Sequence, residues 1–84
     1  MVYILPEDGE RLMEMRSSNR RTYVRYQMLI WDISQALKRE EIDDYFVEDM
    51  KELKKIEGNW LSKRYFTNEF YKKVKVMLRR DRDK

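Results

Sequence analysis

Apolar residues recur at helical spacing through the middle of the chain. Between residues 20 and 39 they are separated by three and four positions, which is the spacing along one face of an amphipathic helix: Tyr23, Tyr26, Ile30, Ile33 and Leu37. Val24, Trp31 and Ala36 widen this stripe, and Met28 and Leu29 lie off it. We therefore expect residues 20–39 to form the central helix, apolar around much of its circumference.

The same rhythm continues through residues 40–57, where Leu53 extends the apolar face. Acidic residues crowd the start of this segment and lysines crowd its end, as the helix dipole favours. Gly58 follows where a left-handed helix terminator is expected, and Asn59 follows as a cap for the next helix.

A first helix is expected to begin at Pro6, because proline suits the first helical position. Leu12, Met13 and Met15 would form its apolar side. The run Ser17-Ser18-Asn19 favours either a break or a new cap, so residues 7–39 form one helix or two.

The last helix is expected to begin with Thr67 as its cap and to run through Arg80. Its inward side chains would be Phe70, Val74, Met77 and Leu78. Partial alternation in Val74–Leu78 and in Val2–Leu5 leaves open a short two-stranded pairing of the termini, although an isolated pair is marginal in water. The pattern as a whole predicts an all-α bundle of three to four helices in one domain, residues 1–84, with residues 81–84 as a frayed tail.

Composition narrows the chemistry. The 84 residues contain no cysteine and no histidine, which excludes disulfides, a thiolate nucleophile, zinc-finger ligands and an imidazole base. A glycine-rich phosphate loop, a serine in an elbow context and an HExxH motif are also missing. Three acids share one face of the helix expected over residues 40–57: Glu41, Asp44 and Glu48. The positive end of the helix dipole explains why acids gather there, without a metal site. We expect a protein that is not an enzyme, has no catalytic residues, and takes no metal or cofactor.

No apolar run approaches the roughly 20 residues of a membrane span, and Val2–Leu5 is too short for the core of a signal peptide. We therefore expect no membrane association. The lack of cysteine is compatible with a reducing compartment, so we expect a cytoplasmic protein.

Charge alternates in blocks along the chain. Residues 1–15 carry a net charge of −3, residues 16–39 of +5, residues 40–57 of −5 and residues 58–84 of +6. One interpretation is internal, with the acidic helix packed between basic neighbours that neutralise it. The other is that the excess positive charge faces outward toward phosphates.

One basic cluster favours the second interpretation. Four arginines lie among hydroxyl and amide donors in residues 16–25, and two of them fall in the first turn of a helix if it begins near Ser18, where the dipole disfavours cations. Arginine forks, hydroxyls and free backbone N–H groups are suited to phosphate. The predicted nucleic-acid-binding residues are Arg16, Ser18, Arg20, Arg21 and Arg25, helped by Lys72, Lys75, Arg79 and Arg82 near the C-terminus.

The aromatic residues indicate an alternative. Eleven aromatics in 84 residues are more than a small bundle can bury, and one member of each adjacent pair should lie near the surface: Tyr45-Phe46, Tyr65-Phe66 and Phe70-Tyr71. A protein-interaction module or inhibitor would use these aromatics and the acidic helix, and a homodimer would cover them most simply. Small, basic, cysteine-free helical proteins are common among viral, plasmid and accessory regulators. The leading prediction is such a regulator, which binds nucleic acid, DNA or RNA.

Overall fold

The computed structural model describes the backbone of residues 2–82 and the side chains of residues 2–79. Within these residues the chain forms four α-helices: α1 (Pro6–Ser18), α2 (Arg20–Arg39), α3 (Asp44–Trp60) and α4 (Tyr65–Arg82). The predicted all-α bundle is confirmed. The two-stranded alternative is wrong for the described residues, because Val2–Leu5 has no regular secondary structure and Val74–Leu78 lies inside α4.

Residues at the ends of α1 and α2 explain where these two helices begin and stop. Pro6 is the first residue of α1, and the helix is interrupted at Asn19, so residues 7–39 form two helices. The Asn19 side chain accepts a hydrogen bond from the Thr22 N–H at 3.4 Å and caps α2. At the other end of α2, Glu40 takes the left-handed conformation (φ 55°), and the Glu41 N–H reaches the Ala36 carbonyl at 3.0 Å.

The predicted junction between α3 and α4 is wrong in its details. α3 begins at Asp44, capped by the Asp43 side chain, and continues to Trp60. Gly58 and Asn59 are therefore helical residues rather than a terminator and a cap, and Gly58 has no positive φ. α4 begins at Tyr65, two residues before Thr67. The reason is tertiary, since the side chain that caps α4 comes from α3, as described below.

The core is a continuous apolar cluster between the four helices. Every helix and the α3–α4 loop contribute buried side chains to it: Met15, Tyr26, Leu29, Ile33, Phe46, Met50, Leu53, Ile56, Leu61, Tyr65 and Phe70. The prediction that Leu53 lies in the core is confirmed, with 0% of its surface exposed. Leu29, placed off the main stripe of α2, is also fully buried.

Several residues expected to face inward do not. Met13 of α1 is 72% exposed, Trp31 of α2 is 64% exposed and Leu78 of α4 is 53% exposed. Val24, which was expected to widen the stripe of α2, is also exposed. A bundle this small has one layer of helices on one side of α2, so the outer face of that helix has nothing to pack against.

Helix direction decides where charged residues meet. α3 runs antiparallel to α2, since Tyr26 in the first half of α2 contacts Glu57 near the end of α3, whereas Arg39 at the end of α2 lies beside Phe46 near the start of α3. α4 runs in the same direction as α2, because Tyr26 contacts Phe66 with ring centroids 6.2 Å apart and Leu37 lies beside Met77 in one surface depression. The molecule is accordingly long, with extents of 47 × 23 × 17 Å.

Candidate nucleic-acid interface

Three exposed arginines surround the break between α1 and α2. Arg16 lies in the last turn of α1, and Arg20 and Arg21 lie in the first turn of α2, which contains no acidic residue. No carboxylate of the described residues is within 4 Å of any of the three guanidinium groups. The dipole of α2 is positive at this end and adds to the charges of Arg20 and Arg21, whereas Arg16 lies at the negative end of α1, where the dipole favours a cation. We call these three residues the junction arginines.

Two other predicted residues of this cluster already have partners inside the protein. The Ser18 hydroxyl donates a hydrogen bond to the Glu14 carbonyl at 2.7 Å. Arg25 donates to Glu52 from Nη2 at 2.6 Å and from Nε at 3.0 Å. This hydrogen bonding raises the pKa of Arg25 and lowers the pKa of Glu52. Arg25 and Glu52 thus neutralise each other across α2 and α3, as the internal interpretation of the charge blocks predicted.

The cations of α4 lie at the other end of the molecule. Lys72, Lys75 and Arg79 are exposed. The middle of α4 lies beside Leu37, whereas Arg20 begins α2, and this 20-residue helix is about 30 Å long. The structure therefore does not bring the α4 cations together with the junction arginines. Arg82 ends α4, but its side chain lies outside the described residues, as does the structure of residues 83 and 84 in the expected frayed tail.

A second basic surface was missed by sequence reasoning. The outer face of α3 and the residue before α4 form a depression of about 300 Å³, the α3–α4 concavity, whose lining contains four cations and no carboxylate: Lys51, Lys54, Lys55, Gly58, Asn59 and Arg64. The three lysines had been attributed to the helix dipole alone. Lys54 and Lys55 follow Lys51 by three and four residues, which indicates that the three lysines share a face of α3. Only the folded α3–α4 loop brings Arg64 to them.

The α3–α4 concavity and the junction arginines lie on neighbouring helices. Arg21 precedes Arg25 by four residues, so the two share one side of α2. Lys55, which lines the concavity, helps to lower the pKa of Glu52, the partner of Arg25. Two groups of cations thus lie at the start of α2 and on the outer face of α3, separated by the Arg25–Glu52 pair and by Asp32 and Asp49, whose charges also act on Arg25.

The two most buried carboxylates hold the fold together. Glu57 of α3 accepts hydrogen bonds from the backbone N–H groups of Phe66 and Thr67 at 3.0 and 2.9 Å, from the Thr67 hydroxyl at 2.6 Å and from the Tyr26 hydroxyl at 2.8 Å. It therefore caps α4 and joins that helix to α2 and α3. Burial, reinforced by the Glu57 charge, raises the pKa of Tyr26.

Asp8 ties α1 to the same α3–α4 junction. It accepts hydrogen bonds from the Ser62 N–H at 3.0 Å, from the Ser62 hydroxyl at 2.5 Å and from the Tyr65 hydroxyl. The hydrogen bonds from Ser62 and Tyr65 lower the pKa of Asp8. Burial and the hydrogen bond to Asp8 raise the pKa of Tyr65. The Asp8 and Glu57 carboxylates thus both accept their hydrogen bonds from groups within the fold.

The exposed aromatics follow the expected pattern in two of the three pairs. Tyr45 is 81% exposed beside the buried Phe46, and Tyr71 is 45% exposed beside the buried Phe70. In the third pair Tyr65 is buried and Phe66 is half-buried. Tyr45 and Trp31 also line one depression between α2 and α3. Asp49 lines it too, and its pKa is raised chiefly by burial and further by neighbouring carboxylates such as Asp32.

Residues 2–79, whose side chains the structure describes, contain no group of three or more carboxylates placed to hold a metal ion. None of the four helices described in residues 2–82 is long and apolar enough to cross a membrane. Comparison of the sequence and the structure with protein-family models, curated proteins and solved structures finds no match in any of the three. The class defined by the fold is an all-α helical bundle.

Proposed function

We propose that this protein is a non-enzymatic regulator that binds the phosphates of nucleic acid through the junction arginines. The observation that carries the proposal is that Arg20 and Arg21 in the first turn of α2 and Arg16 in the last turn of α1 are exposed, with no carboxylate of the described residues within 4 Å of their guanidinium groups. Like charges and a helix dipole of the same sign repel one another, and a phosphate relieves that repulsion. Arginine forks also match phosphate oxygens in geometry.

Few of the cations with described side chains are paired within the fold, which supports the same proposal. The described residues form three ion pairs, and only the Arg25–Glu52 pair joins two helices. Of the 19 lysines and arginines, 16 have described side chains, and 13 of these lie outside the three pairs and can face a polyanion. A nucleic-acid-binding regulator acts inside the cell, and a chain without cysteine is suited to a reducing compartment.

The test is the salt dependence of binding to duplex DNA and to single-stranded nucleic acid. Each phosphate contact that is lost should shallow the slope of log K against log salt by about 0.9 on duplex DNA. We expect Arg20→Ala/Arg21→Ala to shallow it by about two units. Lys72→Ala/Lys75→Ala removes the same charge from α4 and is expected to change it by less than about one unit.

Two results would contradict the proposal. The first is a wild-type protein that binds no nucleic acid at low salt, and the second is an Arg20→Ala/Arg21→Ala variant whose slope equals that of the wild type. Thermal unfolding of each variant, followed by circular dichroism, serves as the folding control, because both pairs of side chains are exposed and their removal should leave the fold intact.

A second candidate function rests on the outer face of α2. Val24, Met28 and Trp31 are 45%, 51% and 64% exposed and recur at helical spacing, so they form an unpartnered apolar stripe. In this alternative the stripe, together with Tyr45 of the acidic helix α3, binds a partner protein or a second copy of the chain. Trp31→Ala would then abolish the interaction, whereas it would leave the salt dependence of nucleic-acid binding unchanged.

A further inference from the structure

We infer that the α3–α4 concavity is a second phosphate-binding site. On the proposed function, on which this inference rests for its ligand, the phosphate belongs to the nucleic-acid backbone. The site is assembled from two elements, with Lys51, Lys54 and Lys55 on α3 and Arg64 immediately before α4. Asn59 adds an amide donor at the edge of the same depression.

The electrostatics of the concavity favour an anion. Four cations line a volume of about 300 Å³, and no carboxylate of residues 2–79 lines it. The only ion pair made by any of the four within the described residues joins Lys51 to Glu48 at 3.7 Å, and both of these side chains are more than 70% exposed. Such a pair neutralises little in water. The remaining repulsion is relieved when a phosphate enters, so binding is favoured without any rearrangement of the fold.

Gly58 gives this site its shape. A glycine inside a helix is less favourable than alanine, and Gly58 has no left-handed conformation that would require it. A Cβ at this position would lie 3.3 Å from Nη2 of Arg64, so a side chain here would displace the end of the arginine by a few tenths of an ångström. The glycine thus lets the Arg64 guanidinium lie close against α3, beside the lysines.

The position of the site relative to the junction arginines suits an extended polyanion. The Arg25–Glu52 pair lies between the two clusters, and Lys55 acts electrostatically on Glu52. A phosphodiester chain that crosses α2 and α3 would meet cations on both sides of this pair. The cations of α4 are not part of this surface, which makes them a suitable control.

The first arm of the test is duplex DNA binding as a function of salt, with the wild type and matched double variants. Lys54→Gln/Arg64→Gln should shallow the log–log slope by about two units, since two phosphate contacts are lost. Lys72→Gln/Lys75→Gln removes the same charge from α4 and should change the slope by less than about one unit. Lys54→Arg/Arg64→Lys retains both charges and should keep the wild-type slope.

The second arm uses inorganic pyrophosphate and follows the backbone amides of Gly58 and Asn59 by NMR. Saturable shifts that disappear in Lys54→Gln/Arg64→Gln but persist in Lys72→Gln/Lys75→Gln support the site. If Lys54→Gln/Arg64→Gln, and not the α4 control, weakens duplex binding, the site binds the nucleic-acid backbone. If this variant weakens only pyrophosphate binding, the site binds a free phosphate compound. The inference is overturned if the two Gln variants behave alike in both arms. A wild-type protein that binds no duplex overturns the proposed function but not the phosphate site. In that case the pyrophosphate titration alone tests whether the concavity binds phosphate.

Discussion

Replacing Glu57 with glutamine should destabilise the protein strongly, although the two side chains have nearly the same shape. The Glu57 carboxylate is 0% exposed and accepts four hydrogen bonds, two on each oxygen. An amide retains one oxygen and presents an NH₂ group to the other pair of donors. The hydroxyl of that pair can rotate and accept a hydrogen bond, but the backbone N–H of Phe66 or Thr67 can only donate, so one buried N–H loses its acceptor.

The magnitude follows from these contacts. Hydrogen bonds to a charged acceptor contribute about 1.5–3 kcal/mol each, and a buried donor left without a partner costs about 1–3 kcal/mol. Since the amide keeps one acceptor oxygen, we expect Glu57→Gln to lower the free energy of unfolding by about 2–4 kcal/mol. A chain of 84 residues has a total stability of roughly 4–13 kcal/mol, so this loss is a large fraction of it.

Urea unfolding followed by far-ultraviolet circular dichroism measures the effect. The matched control is Glu52→Gln, which makes the same chemical change on α3, where the side chain is 41% exposed and pairs with Arg25. A partly exposed ion pair contributes at most about 1 kcal/mol, so the control should remain close to the wild type. If both variants lost the same stability, Glu57 would not be the side chain that holds α2, α3 and α4 together.

Further predictions concern the core, the pH dependence and self-association. Leu53→Ala removes a fully buried side chain and should cost about 2–5 kcal/mol in urea unfolding, and an unchanged midpoint would refute the packing of α3. The pKa of Asp8 is lowered in the folded state, so its contribution to stability is present above its ordinary value of 3.8 and is lost as the pH falls below it. Asp8→Asn should therefore be less stable than the wild type near neutral pH, and the difference should shrink in acid; a difference independent of pH would exclude this linkage. Sedimentation over an about hundredfold concentration range should show self-association that Trp31→Glu abolishes, and a strict monomer would remove the homodimer from the alternative function.

Neighbouring residues in the sequence determined most of the helices. The spacing of apolar residues placed α2 at Arg20–Arg39, where the structure has it. Pro6 marked the start of α1 correctly, because its fixed φ suits the first turn. The run Ser17-Ser18-Asn19 left one helix or two open, and the structure has two, with the Asn19 side chain capping α2. The junction arginines were likewise visible in the sequence, since their position depends only on the break before α2.

The tertiary structure alone decided how these helices end and which charges remain exposed. α3 continues through Gly58 to Trp60, and α4 starts before Thr67 because Glu57 reaches across the loop to cap it, through contacts between residues nine and ten positions apart. Pairing of Arg25 with Glu52 and the meeting of Arg64 with the α3 lysines likewise require the helices to be packed. Helical periodicity identifies a face that can be buried, but burial also needs a neighbouring helix, and none covers Trp31 on the outer face of α2.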